Sequence, residues 1–300
     1  MTHPLHEVEP DERLVSALLR EQHPDLAARP LARVAHGWDN VTYRLGDDLA
    51  VRLPARAPAA PLVEHEQRWL PVLAPLLPVP VPAPVRRGRP GAAYPWAWSV
   101  VPWLPGTPSD ELAPDDRDAW ADELGATLAA LHRPAPADAP ANPFRGVPLA
   151  DRDAAVTERL AAYDAPHAGA LRAAWRAGVA APAWDGPPVW LHGDPHPANL
   201  LTAGGHLSAL LDFGDVTAGD PASDLGTVWA TFTSSGRARF WAAYAAASPA
   251  AHDQHRLADL RTRARAWAAA LVPVYGAHPE QHPGLAAAGA HAAREVAAVD

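Results

Sequence analysis

Residues Val189–Asp215 read VWLHGDPHPANLLTAGGHLSALLDFGD, and the rest of the chain is interpreted outward from them. Val189–Leu191 is a short apolar run of the kind that makes a buried strand. A polar loop with two prolines follows, His192–Asn199. Leu200–Leu201 and Leu207–Leu211 flank a Gly-Gly turn and predict a β-hairpin. Three side chains that carry oxygen fall at the ends of these strands: Asp194, Asn199 and Asp212. Strand ends joined by tight loops hold side chains rigidly. Carboxylate and amide oxygens are hard ligands of the kind Mg²⁺ accepts.

Their order carries more than the pieces do. An Asp, an Asn five residues later and then an Asp that opens Asp-Phe-Gly is the order of parts in protein kinases, where catalysis is positioning and charge neutralisation. Here these are Asp194, Asn199 and Asp212-Phe213-Gly214, and the first triplet is His192-Gly193-Asp194 rather than His-Arg-Asp. This set resembles the aminoglycoside phosphotransferase and choline kinase family, small-molecule relatives of the protein kinases. Gly219-Asp220-Pro221-Ala222-Ser223-Asp224-Leu225 resembles a further motif of that family, one that buttresses the catalytic loop. The resemblance implies an α+β, protein-kinase-like fold of two lobes, with a small antiparallel β N-lobe and a larger, mainly helical C-lobe. It implies transfer of a phosphoryl group from ATP or GTP to a hydroxyl of a small molecule. Asp194 would accept or orient the hydroxyl proton, Asn199 and Asp212 would hold Mg²⁺, and His192 would orient the loop. Asp215, Asp220 and Asp224 would support them.

Composition narrows the alternatives. The 300 residues suffice for two lobes and a sizeable core. There is no cysteine, which excludes disulfides, thiolate metal sites and thiol nucleophiles. There is also no lysine: all 25 basic residues are arginine. With neither a signal-like N-terminus nor an apolar run long enough to span a bilayer, the expectation is a cytoplasmic protein with no membrane partner. Net charge is −9, and residues 105–190 hold 13 acids against 7 arginines. No basic stripe appears, so nucleic acid is not an expected partner. The oligomeric state is not legible.

The N-terminal part reads as a helix over 11–20 followed by a β-meander: Leu31–Ala35, Val41–Leu45 and Leu49–Leu53, with a tight turn at Gly46-Asp47-Asp48. His36-Gly37-Trp38-Asp39-Asn40 lies between the first two strands. It has one glycine and resembles a Gly-Trp-Asp-Asn form found in one branch of the family, which would place Asn40 near nucleotide phosphates. The third strand carries Arg52 where kinase-like folds place a phosphate-binding lysine. Arginine is a permanent cation with a forked donor set and can hold phosphate oxygens. Glu64 and Glu66 are both candidates to pair with it; the resemblance, through Glu66-Gln67-Arg68-Trp69-Leu70-Pro71, favours Glu66. Pro71, Pro75 and Pro78 should end that helix early. Trp96–Trp103 alternates and predicts a strand that runs into a hinge. By the resemblance, the Pro102 carbonyl and the Leu104 amide would bind the edge of the nucleotide base. Pro105-Gly106 then breaks the chain, giving an expected N-terminal nucleotide-binding lobe of residues 1–104 and a C-terminal catalytic and substrate-binding lobe of residues 105–300.

Residues 114–133 read as one amphipathic helix, and further helices are expected at 151–163, 168–180, 224–232, 236–247, 255–272 and 285–296. Asp115, Asp116, Asp118, Asp122 and Glu123 read as a solvated face. His278, His282 and His291 lack zinc spacing and read as surface residues.

Other readings stay open: a choline, homoserine or sugar kinase of the same fold, a protein kinase, or a non-catalytic nucleotide-binding protein. The chain has no Ala-Pro-Glu after Asp212, which argues against a protein kinase. The joint presence of Asp194, Asn199 and Asp212 argues against a dead scaffold. Beyond Asp224 there are five acids and seven arginines, net +2. Helices expected to wall the acceptor pocket therefore lack the carboxylates an aminoglycoside would need. They suit a larger, less charged, partly apolar antibiotic-like acceptor, unless segment 105–190 supplies carboxylates from the other side.

Overall fold

The structure is a computed structural model that describes residues 7–36, 40–248 and 254–298. The chain divides into two compact units. The first comprises residues 1–75, 80–104 and 212–214; the second comprises 76–79, 105–211 and 215–300.

In the first unit, helix α1 (Glu12–Gln22) is capped by Asp11, whose carboxylate accepts from the Leu14 amide at 2.8 Å. It buries Val15, Leu18 and Leu19, the face that its periodicity predicts. Strands β1 (Leu31–His36), β2 (Asn40–Leu45) and β3 (Leu49–Pro54) form the meander. Helix α2 (Ala60–Leu73) follows, then β4 (Arg86–Gly88) and β5 (Trp98–Pro102). The antiparallel sheet has the order β1-β2-β3-β5-β4. Tyr43, Val51, Leu53, Tyr94 and Trp98 join the α1 face in one core. Two expectations are corrected. Helix α2 runs through Pro71 to Leu73, because a proline in the last turn forfeits one intrahelical bond and no more. The strand predicted over 96–103 is shorter, and its edge partner β4 carries no apolar pattern to announce it.

In the second unit, β6 (Thr107–Pro108) leads to α3 (Pro114–Arg117) and α4 (Ala121–Leu131). The helix expected over 114–133 is thus broken, with a 3₁₀ turn at Asp118–Trp120 that buries Trp120 completely. Next come α5 (Leu149–Ala162), α6 (Ala168–Ala180), β7 (Val189–Leu191), β8 (Leu200–Ala203), β9 (His206–Leu210) and β10 (Thr217–Gly219). The hairpin β8–β9 forms around Gly204-Gly205, and β6 pairs with β8. Strand β7 pairs with β10. Single-turn helices α7 (Ala222–Leu225) and α8 (Val228–Thr231) stand where one helix was expected. The chain then forms α9 (Ser234–Ala247), α10 (Gln254–Tyr275) and α11 (Pro283–Ala297). Helix α4 packs on α9, and α10 packs on α6 and α11.

Of the acids at the start of the 114–133 segment, Asp115 and Asp116 are exposed as expected, while the other three are engaged. Asp118 accepts from the Thr233 amide, Asp122 pairs with Arg239, and Glu123 accepts from the Leu207 amide. His291 is buried rather than exposed, bonded to the Phe232 carbonyl at 2.9 Å. Among the described residues no helix is long and apolar enough to cross a membrane.

Candidate active site

The first unit brings Arg52, Glu66 and Asp212 together. Arg52 faces α2 from the middle of β3, and its side chain is 12 % exposed. Its Nη1 donates to Glu66 Oε1 at 2.8 Å and its Nη2 to Asp212 Oδ1 at 3.0 Å. Of the two acidic candidates on α2, Glu66 makes the pair. Burial opposes the charge on Arg52, but Glu66 and Asp212 outweigh it and raise its pKa above the usual arginine value. Burial pushes the Glu66 carboxyl up, and Arg52 offsets only part of that. Asp212 has φ 58°, in the left-handed region that a non-glycine residue adopts at some cost. Its side chain remains 51 % exposed.

At the end of β5, the Trp103 amide donates to the Asp48 carbonyl at 2.8 Å. Alternation along a strand therefore turns the Pro102 carbonyl and the Leu104 amide to the opposite edge. Strand β4 begins opposite Val100, so the register stops short of them. Asn40 opens β2 opposite Pro54, with its Oδ1 buried and without a partner among the described residues. Gly37-Trp38-Asp39, which carry the rest of the expected phosphate loop, lie outside the described residues.

The second unit builds the loop His192–Asn199, which enters from β7 and leaves into β8. Asp224, fully buried, accepts from the His192 amide at 2.7 Å and the Gly193 amide at 2.9 Å. His132 Nε2 lies 3.3 Å from the same carboxylate, and its Nδ1 lies 2.8 Å from the Tyr244 hydroxyl. Burial alone would raise the Asp224 carboxyl. The hydrogen bonds from His132 and the Gly193 amide outweigh it, and its pKa falls below the usual range. Thr227 Oγ1 donates to the Pro195 carbonyl, and Ser109 Oγ to the Pro197 carbonyl at 2.7 Å. Gly193 has φ +91°, and a Cβ there would sit 2.2 Å from the Asp215 carbonyl oxygen. The loop is therefore fixed by buried groups along most of its length, which is how a fold places a reacting side chain within tenths of an ångström.

Within the loop, the Asp194 amide donates to His192 Nδ1 at 3.2 Å, so the His192 proton is on Nε2, which donates to the Leu211 carbonyl at 2.8 Å. Asn199 Nδ2 donates to the Asp194 carbonyl at 2.9 Å, which fixes the orientation of the amide. The Asp194 carboxylate is 27 % exposed and accepts from Arg145 Nη2 at 3.2 Å through Oδ1. Arg145 also donates to the Gly193 carbonyl at 2.6 Å. Asp215 accepts from Asn142 at 2.8 Å. Asp220 pairs with the buried Arg263 at 2.7 Å.

Arg145, Asn142, His132 and Tyr244 were not legible as site residues. The only signal near Arg145 is the following glycine. Gly146 has φ +68°, and a Cβ on the facing Gly219 would lie 2.1 Å from the Gly146 oxygen, so the backbone there is pressed against β10.

A family model described as "Phosphotransferase enzyme family" matches residues 30–260. No curated protein matches the chain by sequence. Among solved structures, the GDP and kanamycin complex of APH(2")-IIia superposes with TM-score 0.67 at 18 % identity, covering 94 % of this chain and 97 % of that one. Macrolide 2'-phosphotransferase MphH from Brachybacterium faecium gives 0.60 at 24 %, covering 93 % and 96 %. Macrolide 2'-phosphotransferase type I gives 0.56 at 20 %, covering 98 % and 100 %. At these identities the likeness shows the fold: kinase-like, an antiparallel five-stranded sheet with a helical C-terminal part. The family model covers most of the sequence on that fold, and the chain belongs to the phosphotransferase enzyme family.

Proposed function

We propose that the protein transfers the γ-phosphoryl group of ATP or GTP to a hydroxyl of a small molecule, with Asp194 as the group that takes the hydroxyl proton. The observation that carries this is the state of Asp194. Its carboxylate is partly exposed and held by Arg145, on a loop whose backbone is anchored by Asp224, Thr227 and Ser109. The acceptor oxygen bonds to the γ-phosphorus, the bond to the β–γ bridging oxygen breaks, and the hydroxyl proton passes to Asp194, leaving the nucleoside diphosphate.

Residues 1–104 act as the nucleotide lobe and 105–300 as the catalytic and acceptor lobe. Arg52, steadied by Glu66, contacts the α- and β-phosphates. Asn40 serves the phosphates, and Pro102 and Leu104 offer a main-chain acceptor and donor to the base edge. Asp212 and Asn199 suit Mg²⁺, since each offers a hard oxygen, and Asn199 has its amide already oriented. Mg²⁺ held there would supply charge neutralisation on the phosphate oxygens. His192 sets the loop, and Asp215, Asp220 and Asp224 support it from behind.

The solved neighbours include complexes with kanamycin, gentamicin and streptomycin as well as macrolide enzymes, which makes hydroxylated antibiotics the first acceptors to assay. The test is a Mg²⁺-dependent nucleotide-consumption screen over antibiotics and small alcohols, run with Asp194→Ala alongside. Acceptor-dependent turnover is expected in the wild type and lost in the variant, while Mg²⁺–nucleotide affinity stays within a few-fold. A variant with near wild-type turnover removes Asp194 from the reaction.

A further inference from the structure

A cavity of about 310 Å³ opens in the second unit beside the catalytic loop. Arg145 joins the two, because it lines the cavity and bonds both the Gly193 carbonyl and Asp194. Asp215 also lines it, with its main chain against Gly193. Asp194, the carboxylate that is proposed to take the hydroxyl proton, does not itself line the cavity, and Arg145 is the residue that links the two.

The charges of the wall are mostly of one sign. Arg145, Arg152 and Arg159 line it against a single carboxylate, Asp215. Arg145 is compensated: burial opposes its charge, but Asp194 and Asp215 more than offset this. Arg152 and Arg159 are not. They stand seven residues apart on α5, two helical turns, and so share a face. Among the described residues neither has a carboxylate partner, and Arg152 lies over the Phe144 ring at 5.0 Å. Asp153, close in sequence, is committed to Trp175 Nε1 and Thr157. Burial and the guanidinium groups of Arg152 and Arg145 all pull the Arg159 pKa down, the mark of cations gathered without a counter-ion.

The rest of the wall is apolar. Trp267 comes from α10, and Phe144 and Val274 are 55 % and 43 % exposed. Large exposed apolar side chains rimming a concavity are surface that a ligand covers. Carboxylates for a polycationic acceptor would have to come from segment 105–190. Asp118, Asp122 and Glu123 are instead engaged with Thr233, Arg239 and Leu207, and the same segment delivers the three arginines.

We propose that the acceptor carries an oxyanion, a carboxylate or a phosphate, on an apolar body, and seats that oxyanion on Arg152 and Arg159 with its hydroxyl toward Asp194. The proposal rests on the reading of Asp194 given above. Guanidinium groups bind both oxyanions through paired N–H donors, and a polyamine would meet uncompensated positive charge.

The test is calorimetric titration of the full-length protein, without nucleotide, using four probes with one hydroxylated decyl body: a hydroxydecanoate, the matching phosphate ester, the neutral amide and the primary amine. The expected result is that at least one anion binds at least tenfold tighter than the amide and that the amine binds weakest. The carboxylate–phosphate comparison identifies the oxyanion. The double substitution Arg152→Gln, Arg159→Gln removes side chains with no ion-pair partner, so the melting temperature should hold while the anion falls to within about twofold of the amide. An amine that binds as tightly as the anions, no binding of either anion, or an anion preference that survives the double substitution overturns the proposal. Failure of the functional reading shows elsewhere, as absence of Asp194-dependent nucleotide consumption, which the titration does not measure.

Discussion

Asp224→Asn removes one charge and almost no volume from the point on which the catalytic loop hangs. The wild-type carboxylate is fully buried and accepts two main-chain N–H groups, at 2.7 and 2.9 Å, with His132 at 3.3 Å. Asparagine can satisfy one amide with its oxygen but turns an NH₂ toward the other donor. A hydrogen bond to a charged acceptor is worth about 1.5–3 kcal/mol, and a stranded buried donor costs about 1–3 kcal/mol. Because the groups share one network, the two do not simply add, and a loss of about 3–4 kcal/mol is expected. For a chain of this size that lowers the melting temperature by roughly 5–6 °C. A shift of the loop of about 1 Å costs on the order of 10²-fold in kcat, with nucleotide affinity nearly unchanged. The pH profile separates charge from packing. Asp224 is held below its unfolded value, so its stabilisation is complete above a carboxyl pKa of about 3.9 and is lost as pH falls through the folded value. The gap in melting temperature between wild type and variant should therefore be widest near neutrality and narrow below about pH 4. Scanning calorimetry from neutral to acid pH, with steady-state kinetics at neutrality, measures both. A variant that melts within 2 °C of wild type at neutral pH, or a gap that stays constant into acid, would refute the claim that this carboxylate anchors the loop by its charge.

Other expectations follow from single contacts. Arg52→Ala should raise the nucleotide KM and lower kcat; since Arg52 forks across Glu66 and Asp212, Arg52→Lys should recover little of the loss, and a fully active Arg52→Ala enzyme would strip Arg52 of its role. Asp212→Ala should abolish Mg²⁺-dependent nucleotide binding in a metal titration, and an unchanged Mg²⁺ dependence counts against the assignment. Gly193→Ala places a Cβ 2.2 Å from a main-chain oxygen at φ +91°, so a loss of about 3 kcal/mol or more is expected in thermal melts, and a melt equal to wild type would show that the loop yields.

What the sequence determined by itself was local. The apolar runs around Gly204-Gly205 fixed the β8–β9 hairpin, because turn chemistry and side-chain alternation act over a few residues. The same short range put Asp194 in the loop after β7, Asn199 just before β8 and Asp212 just after β9, and the spacing of the meander placed Arg52 on β3. Between Glu64 and Glu66 the residues alone left both open and the family resemblance favoured Glu66, which the structure puts on the face of α2 that also buries Val63 and Leu70. The tertiary structure decided what meets these residues. Arg145 reaches Asp194 across 49 positions and His132 reaches Asp224 across 92. Arg145 sits in a proline-rich stretch with no periodicity, so nothing local states where its side chain goes. The same holds for the single-sign wall of Arg145, Arg152 and Arg159. Segment 105–190 is acidic by count, and only packing turns Asp118, Asp122 and Glu123 into structural anchors and leaves arginines around the cavity. Net charge is a sum over the chain, whereas an acceptor meets only the side chains that the fold leaves facing it.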